Sequence, residues 1–125
     1  RVMADERQIG QVLRNLLENA HEAVASGGNI DVSCGMAANG TAVKAGLKEG
    51  RYVQVMVHDT GRGIGPESLG KIFDPYFSTK EMGSQKGQGL GLTVCHSIIK
   101  NHGGVIFAES DPARGTTFTF LLPAI

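Results

Sequence analysis

The sequence has no excess of charge of either sign: twelve lysines and arginines stand against twelve aspartates and glutamates. Without a basic stripe, neither DNA, RNA nor an anionic membrane surface is the expected main partner. No apolar run approaches the roughly 20 residues that span a bilayer, and the N-terminus lacks a charged-then-apolar leader, so a soluble chain is expected. Cysteine is scarce. Cys34 and Cys95 lie far apart, each among apolar neighbours, and are expected as buried free thiols of a reducing compartment. No internal repeat is visible, and 125 residues with 41% hydrophobic content suit one domain around one core.

Glycine is plentiful, at 18 residues, and it comes in clusters. The clusters punctuate a readable order of elements. From residue 5 to about 25, Ile9, Val12, Leu13, Leu16, Leu17, Ala20 and Val24 recur at helical spacing. Asp5 and Gln8 have the form of a capping box, and Gly27-Gly28 closes the helix. Residues 30–34 and 52–58 alternate as strands. Residues 36–50 show no period and are expected as a long, mobile connector. A short helix is expected at residues 66–73, with Pro66 at its first position. A longer helix is expected at 90–101, and strands at 105–109 and 116–122 are joined by a hairpin loop over residues 111–115. This order lacks strict βαβ alternation. It predicts a two-layer α/β (α+β) sandwich: a mixed, mostly antiparallel sheet of about five strands with about three helices on one face.

Three constellations stand out. Asn15 and Asn19 are one turn apart on the first helix, beside its apolar stripe. They are either amides hydrogen-bonded at the core edge or oxygen ligands for a hard cation whose shell nucleotide phosphates complete. Asp59, leaving a strand into Thr60-Gly61-Arg62-Gly63-Ile64-Gly65, marks either a tight turn or an acceptor for the exocyclic amine of adenine. Gly87-Gln88-Gly89-Leu90-Gly91-Leu92 opens the second long helix, where free amides and the helix dipole suit an anion. A fourth match is a decoy. Residues 65–72 fit a phosphate-binding P-loop except that Ile72 replaces the required Ser or Thr, and Pro66 removes an amide donor, so that motif is rejected. Between the glycine clusters, Phe73 to Lys80 and the polar stretch 81–86 have the look of a lid, on which Lys80 and Lys86 can meet phosphate charge or lie as plain surface.

Taken in order, Asn15-x-x-x-Asn19-Ala20, Asp59-x-Gly61-x-Gly63, Phe73-x-Pro75-x-Phe77, Gly87-x-Gly89-Leu90-Gly91-Leu92 and Gly115-Thr116-Thr117-Phe118 resemble the asparagine, phenylalanine and three glycine boxes of the catalytic domain of sensor histidine kinases. That domain belongs to the ATPase superfamily shared with type II topoisomerases, a heat-shock chaperone and a mismatch-repair protein. The resemblance covers nearly the whole chain. It implies ATP or ADP bound with Mg²⁺ between the first helix, the Asp59 loop and the lid. On this resemblance Asn19 ligates Mg²⁺, Asn15 supports the phosphate side, and Asp59 accepts from the adenine amine with Gly61, Gly63 and Ile64 around it. Gly87, Gly89, Leu90, Gly91 and Leu92 hold phosphate, Phe77 anchors the lid and Lys80 and Lys86 face phosphate. Ala23 completes the helix side, and Thr116 and Thr117 line the pocket floor. Glu22 departs from the pattern: many relatives place a basic side chain there, and a carboxylate repels phosphate unless Mg²⁺ or Lys80 intervenes.

The run Phe73 to Lys80 with a short lid resembles the nitrogen-regulation type of sensor kinase. The resemblance further implies that residues 1–125 are the ATP-binding domain alone. The phosphoacceptor histidine is expected on an upstream dimerisation domain of the same protein, and a response-regulator receiver domain is the partner of the full kinase. Location is expected to be cytoplasmic, whether free or as the inner part of a membrane receptor. His21, His58, His96 and His102 have no acceptor context, so the isolated domain is expected to be a monomer that binds ATP without phosphorylating itself. Two alternatives are a serine kinase that inhibits a sigma factor and a nucleotide-binding interaction module that has degenerated. The phenylalanine box and the leucines of Gly89-Leu90-Gly91-Leu92 disfavour the first, and intact Asn19, Asp59 and Gly89 the second.

Overall fold

The computed structural model describes residues 4–24, 27–38, 40–61, 63–64, 66–69, 72, 88–111 and 113–124. Among these the chain runs α1 (Glu6–Ala23), β1 (Ile30–Met36), α2 (Thr41–Lys44), β2 (Tyr52–Asp59), α3 (Pro66–Leu69), α4 (Gln88–Asn101), β3 (Val105–Asp111) and β4 (Gly115–Pro123).

α1 begins where Asp5 places its carboxylate on the free amides of Arg7 (2.9 Å) and Gln8 (3.2 Å). Such a cap contributes about 1 kcal/mol. The reciprocal half of the box goes elsewhere: the Asp5 amide donates to Nε2 of His102 at 3.0 Å. That bond requires the proton of the neutral ring to sit on Nδ1, which lies 2.7 Å from the Ile98 carbonyl and donates to it. One imidazole thus ties the start of α1 to the end of α4 and sets the two helices antiparallel. At its other end α1 stops at Val24, followed by Gly27 and Gly28 at positive φ.

The four described strands lie in the order β1-β2-β4-β3 and are antiparallel throughout. Among the described residues the sheet has four strands and no parallel pair, where a mixed, mostly antiparallel sheet of about five was expected, and the want of a parallel pair has a topological reason. The α4 crossover does carry β3 back parallel to β2, but β4 inserts between them, so no parallel pair forms. α1, α3 and α4 cover one face. There Val12, Leu16 and Ala20 of α1 and Leu92, Cys95 and Ile99 of α4 pack on Val57, Ile106, Phe118, Phe120 and Leu122, with Ile72 following α3. The opposite face is covered in part by the segment expected to be a mobile connector. α2 sets Ala42 against Tyr52 and Leu121, with Ala37, Leu47 and Phe107 around them. Its lack of period reflects a single helical turn, too short to show one.

The cysteines divide. Cys95 is buried and Cys34 exposed, which corrects the expectation for Cys34. Its alternating neighbours do make a strand, but β1 is an edge strand, and no described helix covers it. Burial raises the Cys95 thiol from its ordinary 9.0 to about 11, against the smaller opposing effect of a hydrogen bond from Asn15. A thiol-specific disulfide reagent at pH 8 should therefore titrate one thiol in the native protein and a second only after unfolding. The linkage has a definite sign. Between pH 9 and 11 the unfolded chain loses this proton first, so Cys95 makes denaturant stability fall as pH rises through that window. Equal reactivity of both thiols in the native state would contradict the burial.

Candidate functional site

β2 ends on Asp59, a carboxylate only 3% exposed. It sits on the helix-covered face, like Val57 two residues earlier, and its neighbour across the sheet is Thr116 of β4. Its Oδ1 accepts from the amide of Gly61 at 3.0 Å, which turns the chain sharply after the strand. Gly61 then lies against the last turn of α1, where a Cβ would run into the backbone carbonyl of Ala23. Gly115 plays a similar part on the other side. It has φ 93°, and a Cβ there would strike the Asp59 carbonyl. Glycine at these two positions allows three backbones to close around one acid.

The loop after Gly61 is held by a residue that sequence reasoning passed over. Ser110 Oγ accepts from the Ile64 amide at 2.6 Å and shares a hydrogen bond with Thr116 Oγ1 at 2.9 Å. Ile64 packs against the core, and Gly63 is half-buried. Only the place of Ser110 beside the hairpin turn marked it, and a serine near a turn is too common to single out.

α1 joins this corner to α4. Asn15 donates through Nδ2 to the Gly91 carbonyl (3.2 Å) and to Cys95 Sγ (3.7 Å), and the Cys95 thiol lies 3.8 Å from the Val12 carbonyl. With Asp5 at His102, Val12 at Cys95 and Asn15 at Gly91, the helices run antiparallel. The next turn of α1 beyond Asn15 therefore comes level with the first turn of α4. Asn15, Asn19 and Ala23 are successive i, i+4 positions on one stripe. Asn15 touches α4, Ala23 touches the Gly61 turn, and half-buried Asn19 stands between them with no hydrogen bond to a described residue. Glu22 is half-buried on the adjoining face.

The stripe brings Asn15, Asn19, Ala23, Asp59, Gly61, Thr116 and the start of α4 to one corner of the molecule. It separates others. Thr117 follows Thr116 by one residue, so it faces the opposite side of the sheet, where its Oγ1 lies 2.7 Å from His58 Nδ1. The two threonines therefore do not share a pocket floor. Helix α4 starts at Gln88, two residues before the expected Leu90, so Gly89, Leu90 and Gly91 fall in its first turn. The orphan donors belong to that turn. Leu92 lies beyond them, inside the helical ladder, and buries its side chain in the core. Asn15 likewise spends its amide protons on α4. Phe77, Lys80, Lys86 and Gly87, with the rest of the phenylalanine box and lid, lie outside the described residues.

A two-layer sandwich with an acid at a strand end and a glycine-rich helix start defines a nucleotide-binding class of ATPase. Residues 4–125 match the family described as histidine kinase-, DNA gyrase B-, and HSP90-like ATPase, and the chain belongs to that family. Among curated proteins it is 43% identical over 127 residues to the sensor kinase CckA of Brucella abortus (strain 2308), an alignment that covers 99% of this chain and 13% of that protein. It is 44% identical over 126 residues to the sensor histidine kinase ZraS of Klebsiella oxytoca, covering 98% of this chain and 23% of that protein. The chain thus spans less than a quarter of these curated relatives. Among solved structures, the nucleotide-free catalytic domain of histidine kinase ThkA superposes with TM-score 0.75 at 36% identity, over 98% of this chain and 70% of that one. ThkA in complex with the response regulator protein TrrA superposes with TM-score 0.73 at 33% identity, over all of this chain and 31% of that one.

Proposed function

We propose that this domain binds Mg²⁺-ATP and supplies the γ-phosphate to a histidine on a dimerisation domain of the same two-component sensor kinase. The observation that carries this is the α1 stripe. It sets Asn19 midway between the amides that open α4 and the glycine turn beside buried Asp59. The donor set suits the ligand. A buried carboxylate next to close-packed backbone matches a flat base with an exocyclic amine. Amides at the start of a 14-residue helix, which have no partner within the helix, match phosphate. Asn19 offers one neutral oxygen, and the described residues hold no cluster of three His, Cys, Asp or Glu. A cation at Asn19 would complete its shell with phosphate oxygens and water, as Mg²⁺ does.

Bound Mg²⁺-ATP would supply the transferable phosphoryl group and part of the charge neutralisation it needs. The chain's own part is positioning. Asp59 would hold the adenine amine, and the Gly61 and Gly115 approaches would keep water from the base. The Gly89 to Gly91 amides would hold phosphate with help from Lys80 and Lys86, and Phe77 would seat the lid. We place Asn15 and Leu92 in support of this site through α4 and the core, and Thr117 through His58. The run Phe73 to Lys80 further favours a kinase of the nitrogen-regulation type acting in the cytoplasm. A receiver domain is its expected downstream partner, as the ThkA complex with a response regulator exemplifies for a relative.

Calorimetry should show one Mg²⁺-ADP bound per chain, with affinity lost in EDTA. With γ-labelled ATP the isolated domain should acquire no label on His21, His58, His96 or His102. Adding a fragment that carries the acceptor histidine should yield label that survives alkali and is lost in acid. Acid-stable label would indicate a serine acceptor and the sigma-factor class instead. Absence of nucleotide binding at millimolar concentration would leave only a degenerate interaction module.

A further inference from the structure

Asp59, Thr116 and Ser110 form one row across the end of the sheet. Thr116 on β4 is the register partner of Asp59 on β2 and of Ser110 on β3. Register partners share a face, and Ile106 and Ala108, which precede Ser110 at two-residue spacing, pack in the helix-side core. The row therefore lies under the helix layer, where Asp59 and Thr116 are both buried. The loop that leaves Asp59 on β2 reaches Ser110 on β3 and so spans the row. It is tied at both ends: the Asp59 carboxylate accepts from the Gly61 amide at 3.0 Å, and the Ser110 hydroxyl accepts from the Ile64 amide at 2.6 Å.

A count of protons gives this row a direction. Ser110 has one hydroxyl proton and two oxygens near it, Thr116 Oγ1 at 2.9 Å and the Gly115 carbonyl at 3.3 Å. Hydroxyl-to-oxygen bonds fall at about 2.5–3.0 Å, so the proton belongs on Thr116. Thr116 then accepts from Ser110, and its own proton is left to point elsewhere. The neighbouring Asp59 carboxylate favours the same sense, because it attracts a proton and repels a lone pair. From the Ile64 amide through Ser110 to Thr116, each donor strengthens the next.

We propose that Ser110 is a positioning residue for base selection: by donating to Thr116 it turns the Thr116 proton toward the base, so the site offers a donor beside the Asp59 acceptor. The proposal rests on the adenine-nucleotide reading above and deepens it. Adenine carries an amine that donates next to a ring nitrogen, N1, that accepts, and the Asp59 and Thr116 pair matches both. A base with a carbonyl and a ring N–H at those positions is mismatched at both. Ser110 itself touches no nucleotide in this scheme. It acts through Thr116, and through the Ile64 amide it holds the loop over the row.

Calorimetry with Mg²⁺-ADP and with Mg²⁺-1-deaza-ADP, whose ring has C–H in place of N1, reads the Thr116 donor apart from the rest of the site. The parent should prefer ADP about fivefold, the net contribution of one hydrogen bond. S110A should cut that preference at least by half, and S110T, which keeps the hydroxyl, should retain it. T116V should abolish the preference, and S110A added to T116V should change it no further. Hydrogen exchange at the Ile64 amide should speed up in S110A with or without nucleotide. A purely structural role for Ser110 would weaken both nucleotides alike and leave the preference intact. That result, or a parent that binds the two nucleotides equally, would overturn the assignment of Ser110 alone. A parent that binds neither nucleotide would overturn the nucleotide reading and this proposal together.

Discussion

Asp59→Asn should lower the affinity for adenine nucleotides by about 10- to 100-fold, the range expected when a hydrogen bond to a charged acceptor worth about 1.5–3 kcal/mol is removed. The substitution is chosen to spare the fold. Asparagine is nearly isosteric, and its carbonyl can still accept from the Gly61 amide, the bond that turns the chain after β2. The lost element is the second acceptor oxygen and its charge. A base with a carbonyl at the corresponding ring position offers no amine to Asp59, so guanine nucleotides should bind weakly to the parent and little worse to the variant. Parallel calorimetric titrations with ADP and GDP check both statements. Equal loss for the two bases would mean that Asp59 supports the turn and does not recognise adenine.

Gly61→Ala should be strongly damaging to the described part of the site. The added Cβ meets backbone, the Ala23 carbonyl at the end of α1, and backbone cannot rotate aside as a long side chain can. Overpacking of this kind costs about 1–3 kcal/mol. Here relief requires the Gly61 turn and α1 to part, which also moves Asn19 away from the start of α4. Denaturant midpoints and Mg²⁺-ADP affinity should fall together. Gly10→Ala provides the contrast on the same helix. Nothing lies within 4 Å of its would-be Cβ, and alanine is favoured over glycine in a helix by about 1 kcal/mol, so that variant should be slightly more stable. A neutral Gly61→Ala would show that the close approach is not maintained in solution.

Much of the layout is legible before folding because it is local. The α1 stripe follows from the 3.6-residue period of Val12, Leu16 and Ala20, and its start from a side chain that can cap its own helix. The opposed faces of Thr116 and Thr117 also follow from alternation along a strand. The resemblance placed both on one floor, and the strand period is the better guide. Other features depend on what the rest of the chain brings alongside. Cys34 and Cys95 look alike in sequence. One is buried because α1 lies across it, and the other is exposed because the helix layer stops short of the edge strand. The asparagines one turn apart also look alike, but only Asn15 reaches Gly91. The divergence comes from the crossing of α1 and α4, set by His102 at one end.

The sequence alone therefore determined the elements other than α2, their order, the glycine turn after Asp59 and the chemical kind of ligand such residues can hold. Those properties arise from neighbours in the chain, through backbone periodicity, capping and the donors and acceptors of each side chain. Tertiary structure decided that β4 lies between β2 and β3, that Ser110 secures the Ile64 loop and that β1 ends the described sheet. It also decided which asparagine is occupied. These depend on contacts between residues tens of positions apart, whose geometry exists only after the helices have packed on the sheet.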